Sequence, residues 1–493
     1  MTRRYGLLGA MLLLGAFVLL AQEAPDETVV SPQTVESFNL QLGGILEADA
    51  AGLYYGPAAT FLVNTEHLRL YGALRMVNDG RWLPTEGWMD EGVYFNLMES
   101  HVQVLAGDFT LEGGFQPADH WYSQNPNLTI LNTNGRSSVG LAYRYDGDMI
   151  SYQSRWVGLN LMSPFTYGYG IDSGGIDTPF DQTWRDRGLN YKLYLLKFGQ
   201  LRLGYQESSL YLDRYFDINY FVNPAPSILI NTLWSSGQSG ANPWIHSAND
   251  SSLMGFYADY TDKLFRAEAE FNIKDLNLPF GYTDNLNKLA WSAGFSWYSD
   301  YGTFSFWHGG ATKHMFASTY QVAGNPNFYP YEYTYYPLDV VSGRTIALED
   351  NYIGWPHGEN SLAFSLAWQH AFQIWELPIV ADVAAEWVIS GSKSPHNPWH
   401  EFGSCSEIDN TTELFTGDTV LEHQLALQAT ATTRWRCFAV SLDFQLGVII
   451  NALGLEAVPE TIYGVEPPIW RPQAGVVRNT SAFNLTLLYI LEL

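Results

Sequence analysis

The chain has 493 residues, with 25 Lys and Arg against 51 Asp and Glu for a formal net charge of −26. That balance excludes a nucleic-acid partner, since phosphate binding needs a basic footprint. Charged residues are only 15%, where about 25% is usual for soluble proteins, while aromatics also reach 15%, with 31 Tyr, 27 Phe and 17 Trp. Such a composition suits a membrane barrel with aromatic girdles. It equally suits a secreted all-β protein with a Tyr- and Trp-rich core.

Met1-Thr-Arg-Arg supplies a short basic start, and Leu7 to Leu20 is an apolar run of the length expected of a signal-peptide core. Cleavage after Leu19-Leu-Ala21 would leave a chain beginning at Gln22. No Cys lies near that site, so a lipid anchor is not expected there. Beyond residue 21, no apolar run reaches the roughly eighteen residues of a helical span. The expected organisation is a signal peptide over 1–21, a short periplasmic segment over 22–34, and one β-domain over 35–493.

The β-domain repeats a period-two code in which apolar residues alternate with polar ones. Early members are Leu68 to Met76, then hairpins turning at Ala106-Gly-Asp108 and Asp146-Gly-Asp148, where Gly with Asp allows positive φ. Leu189 to Leu196 and Gln200 to Tyr205 follow. Phe265, Ala267, Ala269 and Phe271 then alternate with Arg266, Glu268, Glu270 and Asn272. Similar strands run from Lys288 to Trp297, Ser361 to Gln369, and Ile379 to Trp387. Leu421 to Ala431 and Phe438 to Ile450 form a hairpin across Thr432 to Arg434. The final strand, Ser481 to Leu493, carries Phe483, Leu485, Leu487, Tyr489, Leu491 and Leu493 on one face.

The connections alternate in length. Long ones cover about 77–91, 117–137, 163–188, 213–252, 273–287, 311–360, 390–420 and 452–480, each separated from the next by a tight turn. This rhythm is that of an up-and-down barrel with short periplasmic turns and long extracellular loops, not of a Greek-key sandwich. It predicts about eighteen strands (16–18), both termini on the periplasmic side, and a last strand closing on the first near Phe38, Leu40 and Leu42. The first outer connection, near Glu47 to Ala51, is short. Cys405 falls in an outer loop and Cys437 near an inner turn, so no disulfide is expected between them.

A barrel this wide leaves a lumen unless something plugs it, so function depends on the inward face. The alternation points Arg69, Arg75, Arg144, Lys192, Arg202 and Arg266 inward from the first half, and Glu268, Glu270, Asp382, Glu386, Glu422 and Asp443 inward from the second. Such walls either set a transverse field that selects solutes or pair up and fill the lumen. Trp121, Trp234, Trp244, Trp355, Trp399 and Trp470 fall in the loops, where they could contact glycans or simply pack. His423, on the lipid-facing side of its strand, is the one candidate base for lipid chemistry, but no nucleophile accompanies it. No Cys/His cluster has metal spacing and no phosphate-binding Gly-rich loop is present, so neither metal nor cofactor is expected.

The terminal strand, running apolar at period two to the end of the chain, resembles the closing strand of bacterial outer-membrane β-barrels. It differs in ending on Leu493 where that family usually has an aromatic residue. Leu203 to Ser208, Phe216 to Pro224, Asn249 to Phe256 and Gly354 to Ser361 are similar to stretches of the Wzi-type capsule-assembly barrels. The resemblance implies an eighteen-stranded barrel that helps hold polysaccharide at the cell surface, and it assigns no individual binding residue. The expected partners are outer-membrane lipid, the barrel-assembly machinery acting on Ser481 to Leu493, and small solutes or surface polysaccharide. The sequence thus predicts a non-enzymatic porin-like channel, with polysaccharide attachment as the alternative and a secreted carbohydrate-binding protein as a third reading.

Overall fold

The structure is a computed structural model describing residues 37–49, 52–77, 87–90, 93–118, 120–123, 125, 128–131, 137–160, 186–212, 214–230, 250–275, 288–316, 318–320, 333, 335, 352–393, 396–400, 413–456 and 469–492. The expected signal peptide, the periplasmic segment, Cys405 and Leu493 lie outside these residues.

Eighteen strands close into one antiparallel barrel. They are β1 (Ser37–Asp49), β2 (Leu53–Asn64), β3 (Leu68–Val77), β4 (Val93–Ala106), β5 (Phe109–Pro117), β6 (Ser137–Asp146), β7 (Ile150–Asn160), β8 (Arg187–Phe198) and β9 (Leu201–Leu212). The second half comprises β10 (Ser251–Thr261), β11 (Phe265–Asp275), β12 (Lys288–Ser299), β13 (Gly302–Ala311), β14 (Ser361–Ile374), β15 (Leu377–Ser390), β16 (Glu422–Trp435), β17 (Phe438–Ile450) and β18 (Val477–Glu492). A short strand, Gly87–Asp90, pairs with the outer end of β4, and two small two-stranded ribbons lie in the later loops. Among the described residues no helix is long and apolar enough to cross a membrane.

The seam forms where the sequence expects it, with Leu40 opposite Leu491 and Leu42 opposite Tyr489. Gly43 sits at its tightest point, because a Cβ there would strike the carbonyl of Leu487. The tight turns at Gly107-Asp108 and after Asp146 also match, and Gly107 has φ +60. One turn moves. The β16–β17 hairpin turns at Arg436-Cys437, after Trp435, not at Thr432 to Arg434. Thr432 and Thr433 are β-branched and extend the strand, and Arg436 takes the left-handed conformation, φ 53. Cys437 carries a free thiol in that turn.

Register fixes the two faces, because residues directly opposite in a ladder point to the same side. Phe61, Leu111, Val139, Phe256, Phe271, Phe295, Leu366, Leu425 and Tyr489 share the outer face, and each leaves much of its side chain exposed. Near the inner turns the belt carries stacked rings such as Trp297 on Phe304 and Trp435 on Phe438. Toward the outer ends it carries Phe364 on Trp387 and Trp387 on His423. An apolar belt between two aromatic girdles is how a barrel meets lipid.

Candidate functional site

The lumen is filled on one side by chain that leaves the wall and folds inward. After β5, the described residues 118, 120–123, 125 and 128–131 lie across the interior against the wall of β10–β12. Their groups meet inward-facing carboxylates and amides. Ser123 Oγ donates to Glu268 at 2.6 Å, Asn125 Nδ2 donates to Ser292 Oγ at 2.5 Å, and Asn272 Nδ2 donates to Thr129 Oγ1 at 2.6 Å. The backbone N–H of Thr129 donates to Glu270, and Arg266 donates to the carbonyl of Tyr122. Ile130 and Leu131, both fully buried, seat on an apolar inner wall made by Leu189, Tyr191, Leu193 and Leu195 of β8 with Leu253 and Tyr257 of β10.

A second inward segment comes from the β13–β14 connection. Met315, Phe316, Tyr333, Tyr335, Tyr352, Ile353 and Trp355 join the same cluster. The Tyr333 hydroxyl lies 2.7 Å from the Ile130 carbonyl and 2.9 Å from Ser208 Oγ, linking the two segments to the wall. Trp355 Nε1 donates to Ser361 Oγ at 2.8 Å, while its ring lies over Gly309, where a Cβ would collide with it. Gly294 is covered in the same way by Trp307. An indole over a wall glycine fills space that the missing side chain leaves. Asn360 ties this segment to the next outer loop, donating to Asp418 Oδ2 at 2.8 Å and accepting from Phe415 N.

Charge on the filled side is paired internally. Arg155 meets Glu112 at 2.8 Å, and Asp259 sits between Arg202 and Arg266, the latter also holding Glu268. The guanidinium of Arg144 lies over the Trp121 ring, 4.4 Å from its centroid. On this side the basic and acidic residues form a packed network rather than a field across open water. Glu112, Arg155 and Asp259 belong to it and were not singled out from the sequence. Their only signal was parity with residues that were.

The opposite wall is different. One inward row runs in register through Gln369, Asp382, Thr430, Asp443, Asn484 and Glu47. Gln369, Gln428 and Gln445 are exposed on this wall. Glu47 holds Arg75 at 3.0 Å, whereas among the described residues no cation lies within ion-pair distance of Asp382 or Asp443. Arg69 donates to Asn64 near the inner turn. Glu386 meets His357 at 3.1 Å, and Glu422 accepts from the N–H of Leu453 at 2.6 Å, so both help fix the later loops.

Lys192 departs from its expected place. Its neighbours in register are Ser154 and Glu207, on the outward face. The apolar alternates of β8, Leu189 to Leu195, look like a lipid face in sequence but serve as the inner wall beneath Ile130 and Leu131. A bare lysine facing the bilayer midplane costs about 2–4 kcal/mol. The cost is avoided because residues 214–230, from the β9–β10 connection, fold back over the outside of the wall. Lys192 Nζ donates to Ala225 O at 2.7 Å and lies 3.9 Å from Glu207, which accepts from Ser227 N at 2.6 Å.

The loop tryptophans also separate. Trp355 is completely buried and Trp121 and Trp470 pack against the interior cluster, so packing, not display, accounts for these three. Trp234, Trp244 and the side chain of Trp399 lie outside the described residues.

Two buried histidines make docking of the inward segments sensitive to acid. Burial holds His120 down at about 3 against the ordinary 6.5, with Arg202 and Arg266 adding to the effect. Burial does the same to His314, also to about 3, helped by Lys313 and Lys288. The undocked state therefore takes up more protons between these values. Docking is at full strength above pH 6.5 and weakens as pH falls toward 3, by about 1.4 kcal/mol per pH unit for each histidine. Hydrogen-exchange protection factors, which remove the pH dependence of the intrinsic rate, are expected to fall in the segments around His120 and His314 between neutrality and about pH 4, with a shallower dependence in His120→Asn.

No protein-family model matches the chain, and no curated protein does. Among solved structures it is similar to Wzi, an outer-membrane protein of Escherichia coli involved in group 1 capsule assembly and described as a carbohydrate-binding β-barrel. The TM-score is 0.48 at 10% identity, over 92% of this chain and 84% of that one. It is also similar to OccK3 (OpdO) of Pseudomonas aeruginosa, with TM-score 0.45 at 9% identity over 93% and 96% of the two chains. For OprD of Pseudomonas aeruginosa the figures are 0.42 and 11%, over 95% and 100%. The closed register and apolar exterior define the class of protein: an eighteen-stranded antiparallel barrel of the kind that crosses a membrane with its strands.

Proposed function

We propose that the protein is a narrow diffusion channel of the bacterial outer membrane, passing small solutes and favouring cations. Its passage follows the polar inner wall of β14–β18 and β1–β3, beside the filled half of the lumen. The observation that carries this reading is the row Gln369, Asp382, Thr430, Asp443, Asn484 and Glu47, which keeps carboxylates on a wall with exposed glutamines. Carboxylates in a low-dielectric constriction raise the local concentration of cations and exclude anions. No chemical step is required of such a wall. His423 stacks its ring on Trp387 on the outer face, with centroids 6.1 Å apart, and serves as part of the girdle.

In planar bilayers the purified protein is expected to carry a small ohmic current whose reversal potential in a KCl gradient has the sign of cation preference. Asp382→Asn with Asp443→Asn should reduce that preference while leaving the current in place. Absence of current at every voltage would remove the channel reading and favour the polysaccharide-attachment alternative.

A further inference from the structure

The segment 214–230 has no part in the channel, and among the described residues no other connection covers the outside of the wall in this way. Beneath it lies a polar patch on the outward face of β7–β9. Ser154, Lys192 and Glu207 sit well inside their strands, and across β10 the same outward face continues into Met254 and Phe256 and then Ile273 and Phe271. A wall of that kind cannot face hydrocarbon bare, since each polar group would lose its water partners.

The segment supplies the partners instead. Besides Lys192 and Glu207, Ser154 Oγ donates to Phe221 O at 2.8 Å, Trp156 Nε1 donates to Tyr215 O at 2.7 Å, and Tyr194 donates to Pro224 O at 3.0 Å. Arg214 clamps its start to Asp217 and Asp250, each at 2.6 Å, and Tyr220 donates to Asp250 at 2.8 Å. The single-turn helix α1 (Ile218–Val222) is capped by Asp217, whose carboxylate accepts from Asn219 N and Tyr220 N. Tyr220 and Phe221 point to the wall. On the other side Ile218, Val222 and Leu229 are 53%, 52% and 49% exposed, with Phe216 and Ile228 beside them.

We propose that residues 214–230 form a strap whose outer face meets the acyl chains of the membrane, so that the strap replaces the β7–β9 wall as the lipid contact there. Two observations select lipid as the occupant. The exposed side chains of the strap are apolar and continue the belt carried by Leu196 and Leu203 on the strands it crosses and by Phe256 on the next. Lys192, Glu207, Ser154, Trp156 and Tyr194 beneath it each bond to the strap's backbone, so the strap turns its own polar groups toward the wall and its apolar side chains outward.

The inference rests on the membrane location, and the test separates the two. Ile218→Cys, Val222→Cys and Leu229→Cys are made singly in a Cys405→Ser/Cys437→Ser background, spin-labelled, and reconstituted into phospholipid vesicles. Phe256→Cys serves as the belt reference and Met149→Cys, at an inner turn, as the aqueous reference. Collision with oxygen, which concentrates in hydrocarbon, is compared with collision with a water-soluble nickel chelate. The strap sites are expected to match Phe256, with high oxygen and low nickel accessibility. Nickel accessibility equal to that at Met149 would overturn the strap while leaving the membrane location intact. Nickel access at Phe256 as well would overturn the location. Spin–spin broadening between labels on different copies would replace lipid by a second protomer and also overturn the proposal.

Discussion

Replacing residues 118–131 by a short Gly/Ser connection is expected to raise single-channel conductance several-fold. The segment crosses the lumen, and its contacts with Glu268, Glu270, Asn272 and Ser292 hold it against the far wall. No barrel ladder passes through it, so the closed sheet should survive its removal. The ring of backbone hydrogen bonds around a barrel is independent of what fills the interior. Cation preference should change less than conductance, because the Asp382 and Asp443 row stands on the other wall. An unchanged current would mean that another part of the chain sets the constriction.

Arg266→Ala is expected to be the most damaging single substitution of the interior. The guanidinium is buried, meets Asp259 at 3.1 Å, and also holds Glu268 and the Tyr122 carbonyl. Asp259 keeps Arg202, whereas buried Glu268 loses the guanidinium that holds it. Removing one partner of such a pair costs about 3–5 kcal/mol, whereas replacing both by neutral groups of similar volume costs far less. The midpoint of heat-modifiable gel migration should therefore fall sharply for Arg266→Ala and recover in Arg266→Met/Glu268→Gln. Equal midpoints for the single and double variants would show that the pair contributes nothing.

Alternation and connection rhythm are strong local signals, and they make the strand number, most turns and the seam at Leu40 and Leu42 legible in the sequence. Parity also placed Arg144, Arg202, Arg266, Glu268 and Glu270 inward. What alternation lacks is a sign. Leu189, Tyr191, Leu193 and Leu195 form an apolar row whether they face lipid or a filled interior, and only tertiary contact with Ile130 and Leu131 decides. Lys192 was misplaced for that reason. The inward course of 118–131 and the outward fold of 214–230 left no periodic trace, because both are irregular chain whose groups bond to distant strands.

The seam between β1 and β18 joins the two ends of the domain across nearly the whole chain. Its loop-closure entropy is therefore the largest of any strand pair, and it cannot form until β18 has been made. Until then the growing sheet carries two raw edges, each able to template pairing with another chain. Gly43 admits the last strand only in close approach, which leaves little tolerance for a slipped partner. Closing the seam last is therefore the step at which this barrel is most open to mispairing.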